Sequence, residues 1–362
     1  MDFSFSEDQR ELRATVRSFL DRHATSTVVR EAALEGDGFA REPWQRLIGE
    51  MELTGLAIDP ERGGTGASFV EVGIALEELG RTLLPVPYLG TVVAAGALTG
   101  AVDSDAAKPL LERIAVGAAA AVALDAANGA PELSGDGESA TLDGSVAHVA
   151  DGPHADLLIL RARAGNEPVL AAVDLDAGGV AVEPLPTLDQ TRRQATVQLA
   201  GAPAVRLGGG AAAARARDLL AAALAVESVG AAQRCLDTTV EYLGERVQFG
   251  RPIGSFQALK HRCADLAAAL EAARSTAYYA AWAVDGAPEE LPELAPLARA
   301  VCGESLWRVA AESIQLHGGI GFTWEHDAHL YFKRAKASEL LAGGFRAQRR
   351  LAAERAGILA AP

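Results

Sequence analysis

Cysteine is scarce: Cys235, Cys263 and Cys302 are the only three in 362 residues, far apart and within helical patterns. With no Cys-x-x-Cys, nothing points to a thiolate metal site or a redox pair. The thiols read as small buried side chains in a reducing compartment. Positive charge is short as well, since 33 Lys and Arg against 48 Asp and Glu leave a formal charge of −15. A nucleic-acid surface needs clustered Lys and Arg, so this balance argues against one. No apolar run reaches the roughly 18–20 residues of a membrane span, and the longest, near residues 115–124, reads as buried helix or strand. The start, Met1-Asp2-Phe3-Ser4, lacks the basic and apolar regions of a secretory signal. A soluble cytoplasmic protein is the expectation.

What is abundant is alanine, within an apolar share of 49%. That composition favours helix, and the length calls for two or three domains. Ser6-Glu7-Asp8-Gln9 is a capping box ahead of Leu12, Val16, Phe19 and Leu20 at helical spacing. Further helices are predicted near Pro43–Met51, from a second capping box at Ser68 and Glu71, and from about Leu89 to Val116. From residue 118 short β-like runs appear between Gly, Asp and Pro clusters, among them Val146–Val149, Leu157–Leu160 and Val169–Val173. After Gly208-Gly209-Gly210 four helical stretches follow, the last expected from Asp327 to about Ala356. The predicted class is α+β multidomain, mostly α. It comprises an N-terminal helical domain (1–117), a middle β-barrel or sandwich-like domain (118–207) and a C-terminal four-helix bundle (208–362).

Two segments carry unusual chemistry. Gln315-Leu316-His317-Gly318-Gly319-Ile320-Gly321 places three glycines in four residues at a helix joint. Glycine beside a helix costs about 1 kcal/mol relative to alanine, so the cluster is either a helix-ending turn or a place where something approaches the backbone. About 65 residues upstream lies Arg246-Val247-Gln248-Phe249-Gly250-Arg251-Pro252-Ile253-Gly254-Ser255-Phe256-Gln257. Arg246 could be a ligand-binding guanidinium or a surface residue at a helix end. Phe249 could stack on a ligand or sit in a core. His317, His326 and His329 do not form a metal set, since no further ligands cluster with them.

These segments, together with Phe3–Arg13 and the loop Gly55-Leu56 through Gly63-Gly64-Thr65-Gly66, resemble the acyl-CoA dehydrogenase family along nearly the whole chain. The resemblance implies FAD bound at a subunit interface and oxidation of an acyl-CoA to its 2,3-enoyl-CoA, with electrons leaving to an electron-transfer flavoprotein. It assigns Arg246 to the FAD pyrophosphate, Phe249 to the adenine or the shape of the turn, and Gln257 to a cofactor hydrogen bond. Gln315, His317, Gly318 and Gly319 fall in the turn on the adenosine side.

Several family features are missing. The glutamate that serves most members as base falls at Ala342, within Leu341-Ala342-Gly343-Gly344, so no catalytic residue is assigned. An alternative base position used by some members falls at Leu220. Asp218 and Glu227 are the nearby carboxylates, with Asp218 expected in a surface pair with Arg217. In the β-domain, His148 stands where a tryptophan covers the flavin, and Ala150 where a hydroxyl bonds its edge. The expectation is a subunit that completes the FAD site of a larger, glutamate-bearing homologous partner in a hetero-oligomer acting on bulky acyl-CoAs such as sterol side chains. The alternatives are an active homo-oligomer with a displaced base, and a non-enzymatic acyl-CoA or FAD-binding scaffold.

Overall fold

The computed structural model describes residues 4–100, 104–125, 127, 129–135 and 137–360. In chain order, helices α1 (Glu7–His23), α2 (Ser26–Arg30), α3 (Arg41–Gly49), α4 (Phe69–Thr82), α5 (Tyr88–Thr99) and α6 (Ser104–Ala115) come first. Strands β1 (Ala120–Ala123), β2 (Glu132–Ser134), β3 (Thr141–Ala150), β4 (Leu157–Ala164), β5 (Glu167–Asp174), β6 (Val180–Leu185) and β7 (Gln194–Gly208) follow. Helix α7 (Gly210–Glu245) leads to short strands β8 (Val247–Gln248) and β9 (Arg251–Pro252). Helices α8 (Gln257–Gly286), α9 (Leu291–His317), α10 (Ala328–Leu340) and α11 (Phe345–Arg355) complete the chain. The order of helices, strands and helices is the predicted one.

The compact units do not follow three consecutive stretches. One gathers Met1–Val29, Gly73–Leu84 and Ala221–Pro362, the other Arg30–Val72 and Pro85–Leu220. In the first unit, α4 carries the adjacent carboxylates Glu77 and Glu78, both 2% exposed. Arg17 of α1 grips Glu78 with two bonds of 2.9 and 2.7 Å, while Arg13, Arg274 and Tyr278 converge on Glu77. Buried carboxylates must be paired, so these bonds bind helices distant in sequence into one body. Gly80 and Gly230 permit the close packing of α4 on α7, since a Cβ at either would strike the backbone of Glu227 or Glu77. Helix α7 is long and apolar enough to cross a membrane by length and composition, but 89% of its most apolar window is buried in the protein, as for a core helix.

The second unit is built on a sheet whose pairings close on themselves. Strand β4 pairs with β2, β2 with β3, β3 with β7, β7 with β5 and β5 with β4, while β6 lies on β7 and β1 runs parallel to β4. Alternate residues of β7, such as Val197 and Leu199, join Leu142, Leu158, Leu160 and Val169 in one core, the period of two expected of strands with one buried face.

The helical run expected from about Leu89 to Val116 forms as two helices, α5 and α6. Two expectations are corrected. The last helix breaks at Leu341–Gly344, where Ala342 has φ +57° and Gly343 φ +82°, so five helices follow β7 instead of four. Asp218 is buried, 4% exposed, because this part of α7 buries Ala216, Leu219 and Leu220 as well.

Candidate functional site

Helix α7 ends beside Arg246, and α9 ends at His317, 71 residues further along the chain. Their ends are joined by direct contacts. Thr239 Oγ1 lies 2.9 Å from Ser313 Oγ, and the rings of Tyr242 and His317 lie 4.7 Å apart at 32°. The Arg246 hairpin and the Gln315–Gly321 turn therefore leave the same end of the first unit.

The hairpin has a two-residue loop, Phe249-Gly250, between β8 and β9. Both loop residues have positive φ, +53° and +76°, as a type I′ turn requires. Glycine adopts this conformation freely, but a phenylalanine there is strained by about 1–3 kcal/mol. Phe249 is also 90% exposed. A large apolar ring held at an unfavourable φ and given to solvent has no role in its own core. Arg251 packs over Phe256 at 4.2 Å, and Phe256 meets Phe249 edge-on at 6.0 Å, which steadies the hairpin. Arg246 is exposed, while its backbone accepts from Ile253 at 2.8 Å and donates to Tyr242 at 2.8 Å. Gln257, the first residue of α8, is exposed too.

The glycines of the turn divide by cause. Gly318 takes φ +63° and ψ −138°, a conformation open only to glycine, and ends α9. A Cβ on Gly321 would lie 2.8 Å from the His317 Cβ and 2.9 Å from the Ile314 oxygen, so this glycine lets the turn fold back on the helix. Gly319 has neither reason: a Cβ there meets nothing within 4 Å, and its φ is not positive. Gln315, Gly318 and Gly319 are all exposed. His317 is not. It is 2% exposed, and its Nδ1 donates to the Ser313 carbonyl at 2.7 Å. The side chain that the resemblance places among the cofactor contacts is therefore a packed one.

A forked guanidinium, two amide side chains, bare glycine backbone and an aromatic ring are exposed on these two segments. They fit the phosphates, ribose and adenine of FAD, which need charged forks, amide hydrogen bonds and a stacking face. Among the described residues no group of three or more His, Cys, Asp or Glu could hold a metal ion.

The other expected site positions are built differently. His148 sits at a bulge in β3, exposed at φ +56°, with Nδ1 3.1 Å from the Gln194 amide oxygen. This imidazole offers no broad apolar cover, and Ala150 offers no hydroxyl, so the pair does not reproduce flavin contacts. In the first unit Ala342 is buried. Its carbonyl accepts from Gln348 Nε2, and Arg299, itself fully buried, donates to the Ser338 and Leu341 carbonyls just before it. Glu227 is buried 3.7 Å from Arg334, an ion-pair distance inside the fold. The arginine that answers Glu227 was not read from the sequence, because 107 residues separate the two.

Residues 6–117 match the acyl-CoA dehydrogenase N-terminal domain, and residues 208–357 match the acyl-CoA dehydrogenase C-terminal domain. The acyl-CoA dehydrogenase IpdE2 of Mycobacterium tuberculosis is 38% identical over 349 residues, covering 96% of this chain and 97% of that protein. The ChsE4–ChsE5 complex of Mycobacterium tuberculosis contains a chain superposable with a TM-score of 0.91 at 31% identity, over 100% of both. A variant of the Tcur3481–Tcur3483 steroid ACAD gives a TM-score of 0.89 at 32% identity, over 97% of this chain and 99% of the other. The chain belongs to the acyl-CoA dehydrogenase family, whose members are FAD-dependent flavoproteins.

Proposed function

We propose that this chain is the non-catalytic subunit of a heteromeric acyl-CoA dehydrogenase, completing the FAD site of a homologous subunit that carries the base. One observation supports this above the rest. The Tyr242–His317 contact gathers an exposed nucleotide-binding set, Arg246, Phe249, Gln257, Gln315, Gly318 and Gly319, in a chain whose base position is Ala342. Relatives that are named as pairs, ChsE4–ChsE5 and Tcur3481–Tcur3483, favour a mixed assembly, and the second is called a steroid ACAD. The substrate class that follows is the CoA thioester of a steroid side chain.

FAD, when bound, supplies the hydride acceptor for 2,3-dehydrogenation, with electrons passed on to an electron-transfer flavoprotein. The contribution of this chain is binding and orientation. Arg246 would hold the pyrophosphate, its guanidinium fork offering charged hydrogen bonds that a monodentate cation could not orient as well. Phe249 offers a face to the adenine, and the Gly318–Gly319 backbone allows approach to the ribose and phosphate oxygens. No group at Ala342 can take the α-proton, so that proton leaves to a carboxylate of the partner subunit.

Expression alone and with a glutamate-bearing homologue separates the readings. The chain alone is expected colourless, and the mixed complex yellow and bleached by a steroid-side-chain acyl-CoA. Yellow protein bleached by an acyl-CoA without any partner would show an active homo-oligomer instead. Flavin binding without bleaching in either state would leave a scaffold. In the mixed complex Arg246→Ala should lower flavin retention, and undiminished flavin content would count against the role given to Arg246.

A further inference from the structure

We infer that His317 is a positioning residue whose buried ring, clamped between Tyr242 and His326, holds the glycine turn and the Phe249 hairpin in register for the nucleotide half of FAD. The inference rests on the reading that this face of the chain carries that nucleotide half.

Three rings form a column at the end of the first unit. Tyr242 lies 4.7 Å from His317, and His317 lies 4.3 Å from His326 at 48°. Tyr242 is half-buried in the last turns of α7, four residues before Arg246. His317 ends α9, two residues after Gln315 and immediately before Gly318. His326 follows the turn and precedes α10. Each ring therefore belongs to a different segment, and the column is where the three segments meet.

Hydrogen bonds set the state of the two imidazoles. A carbonyl can only accept, so His317 Nδ1 carries the hydrogen that meets the Ser313 oxygen at 2.7 Å. His326 Nδ1 accepts the Ala328 backbone N–H at 3.1 Å, which leaves that nitrogen bare. Each ring is thus tied to the backbone through its Nδ1, and both rings keep one orientation. The Ser313 side chain that lies beside His317 is tied in turn to Thr239, whose hydroxyl bonds the Cys235 carbonyl at 2.6 Å. The turn closes on the same residue, because a Cβ on Gly321 would lie 2.8 Å from the His317 Cβ and only glycine allows that approach. Gly318 and Gly319 are then left facing open space, with no side chain of the chain over them. Removing the ring would free the turn and the hairpin to shift independently, and ligand groups misplaced by even a fraction of an ångström bind less well.

FAD titration of the mixed complex, followed by quenching of flavin fluorescence well below the melting temperature, tests this. His317→Asn keeps a donor near Nδ1 but loses the ring, and should weaken FAD binding about tenfold, the size of losing one or two aromatic contacts. His317→Phe keeps the ring and loses the donor, and should stay within about threefold of the unaltered complex. Tyr242→Leu removes the half-buried end of the column without touching the Ser313 bond, so it reports even if the His317 variants fold poorly. It should weaken FAD binding like His317→Asn. Unchanged affinity in Tyr242→Leu, or equal affinities for the Asn and Phe variants, overturns the inference. Arg246→Ala serves as the reference. If it weakens binding while the column variants do not, only the positioning role fails; if it has no effect either, the cofactor reading of this face fails with it.

Discussion

Glu227 and Arg334 face each other at 3.7 Å inside the first unit, both nearly sealed from solvent, in a chain whose family base position is an alanine. Glu227 is, with Asp218, one of the two α7 carboxylates that the alternative of a displaced base would use. A buried pair is costly to break, because the survivor keeps its charge without a partner. Glu227→Ala should therefore lower stability by about 3 kcal/mol in urea denaturation. The turnover of the mixed complex that remains folded should be unchanged. A loss of turnover at full stability would make Glu227 a catalytic group.

The hairpin offers a separation of stability from function. Phe249 occupies a position where asparagine is the preferred neighbour of glycine. Phe249→Asn should raise stability by about 1 kcal/mol, relieving positive-φ strain, while lowering flavin retention of the mixed complex. Thermal denaturation and flavin absorbance read the two effects separately. Gain of stability with undiminished flavin would show that the exposed ring has no cofactor role.

Ala342 carries a similar strain at φ +57° with its side chain buried. Ala342→Gly should stabilise the chain by about 0.5–1 kcal/mol, since glycine adopts this conformation without penalty. Gln348→Leu should destabilise by about 1–3 kcal/mol, leaving the Ala342 carbonyl buried without its amide donor. Equal stability in both variants would show that the turn is free to relax.

Acid should act on the second unit through His154. Its ring rests 5.1 Å from Phe39, and its Nε2 donates to the Asp37 carbonyl at 3.1 Å. Burial lowers its pKa below 6.5, outweighing the nearby Asp37 charge that acts the other way. The unfolded chain then takes up a proton more readily than the folded one below about pH 6.5. Stability from this residue is complete above that pH and declines as pH falls through the interval below it. Melting temperatures from pH 7.5 to 5.5 should drop less for His154→Gln than for the unaltered chain. Parallel curves would assign the acid sensitivity elsewhere.

Local patterns were enough to identify much of this protein. The capping box at Ser6–Gln9 forms as read, with Ser6 Oγ accepting from the Gln9 backbone and Gln9 Oε1 from the Ser6 backbone. The helical pattern of α7, the continuous apolar runs of β4 and β5 and the alternation along β7 are also local, because each depends on neighbours within a few residues. Helix breaks that depend on backbone strain were less visible. Nothing in Leu341-Ala342 marks a left-handed residue, since the arginine and glutamine that hold the turn lie on α9 and α11.

By itself the sequence determined the family and the order of the elements, and it set alanine at 342, where the resemblance places the base, because motifs are properties of residue identity. Tertiary structure decided which side chains are available. It buried Asp218 and Glu227, held Phe249 out in solvent, and turned His317 from a candidate ligand contact into packing between Tyr242 and His326. Burial and pairing are set by residues tens to hundreds of positions away, and that distance is closed only when the helices pack.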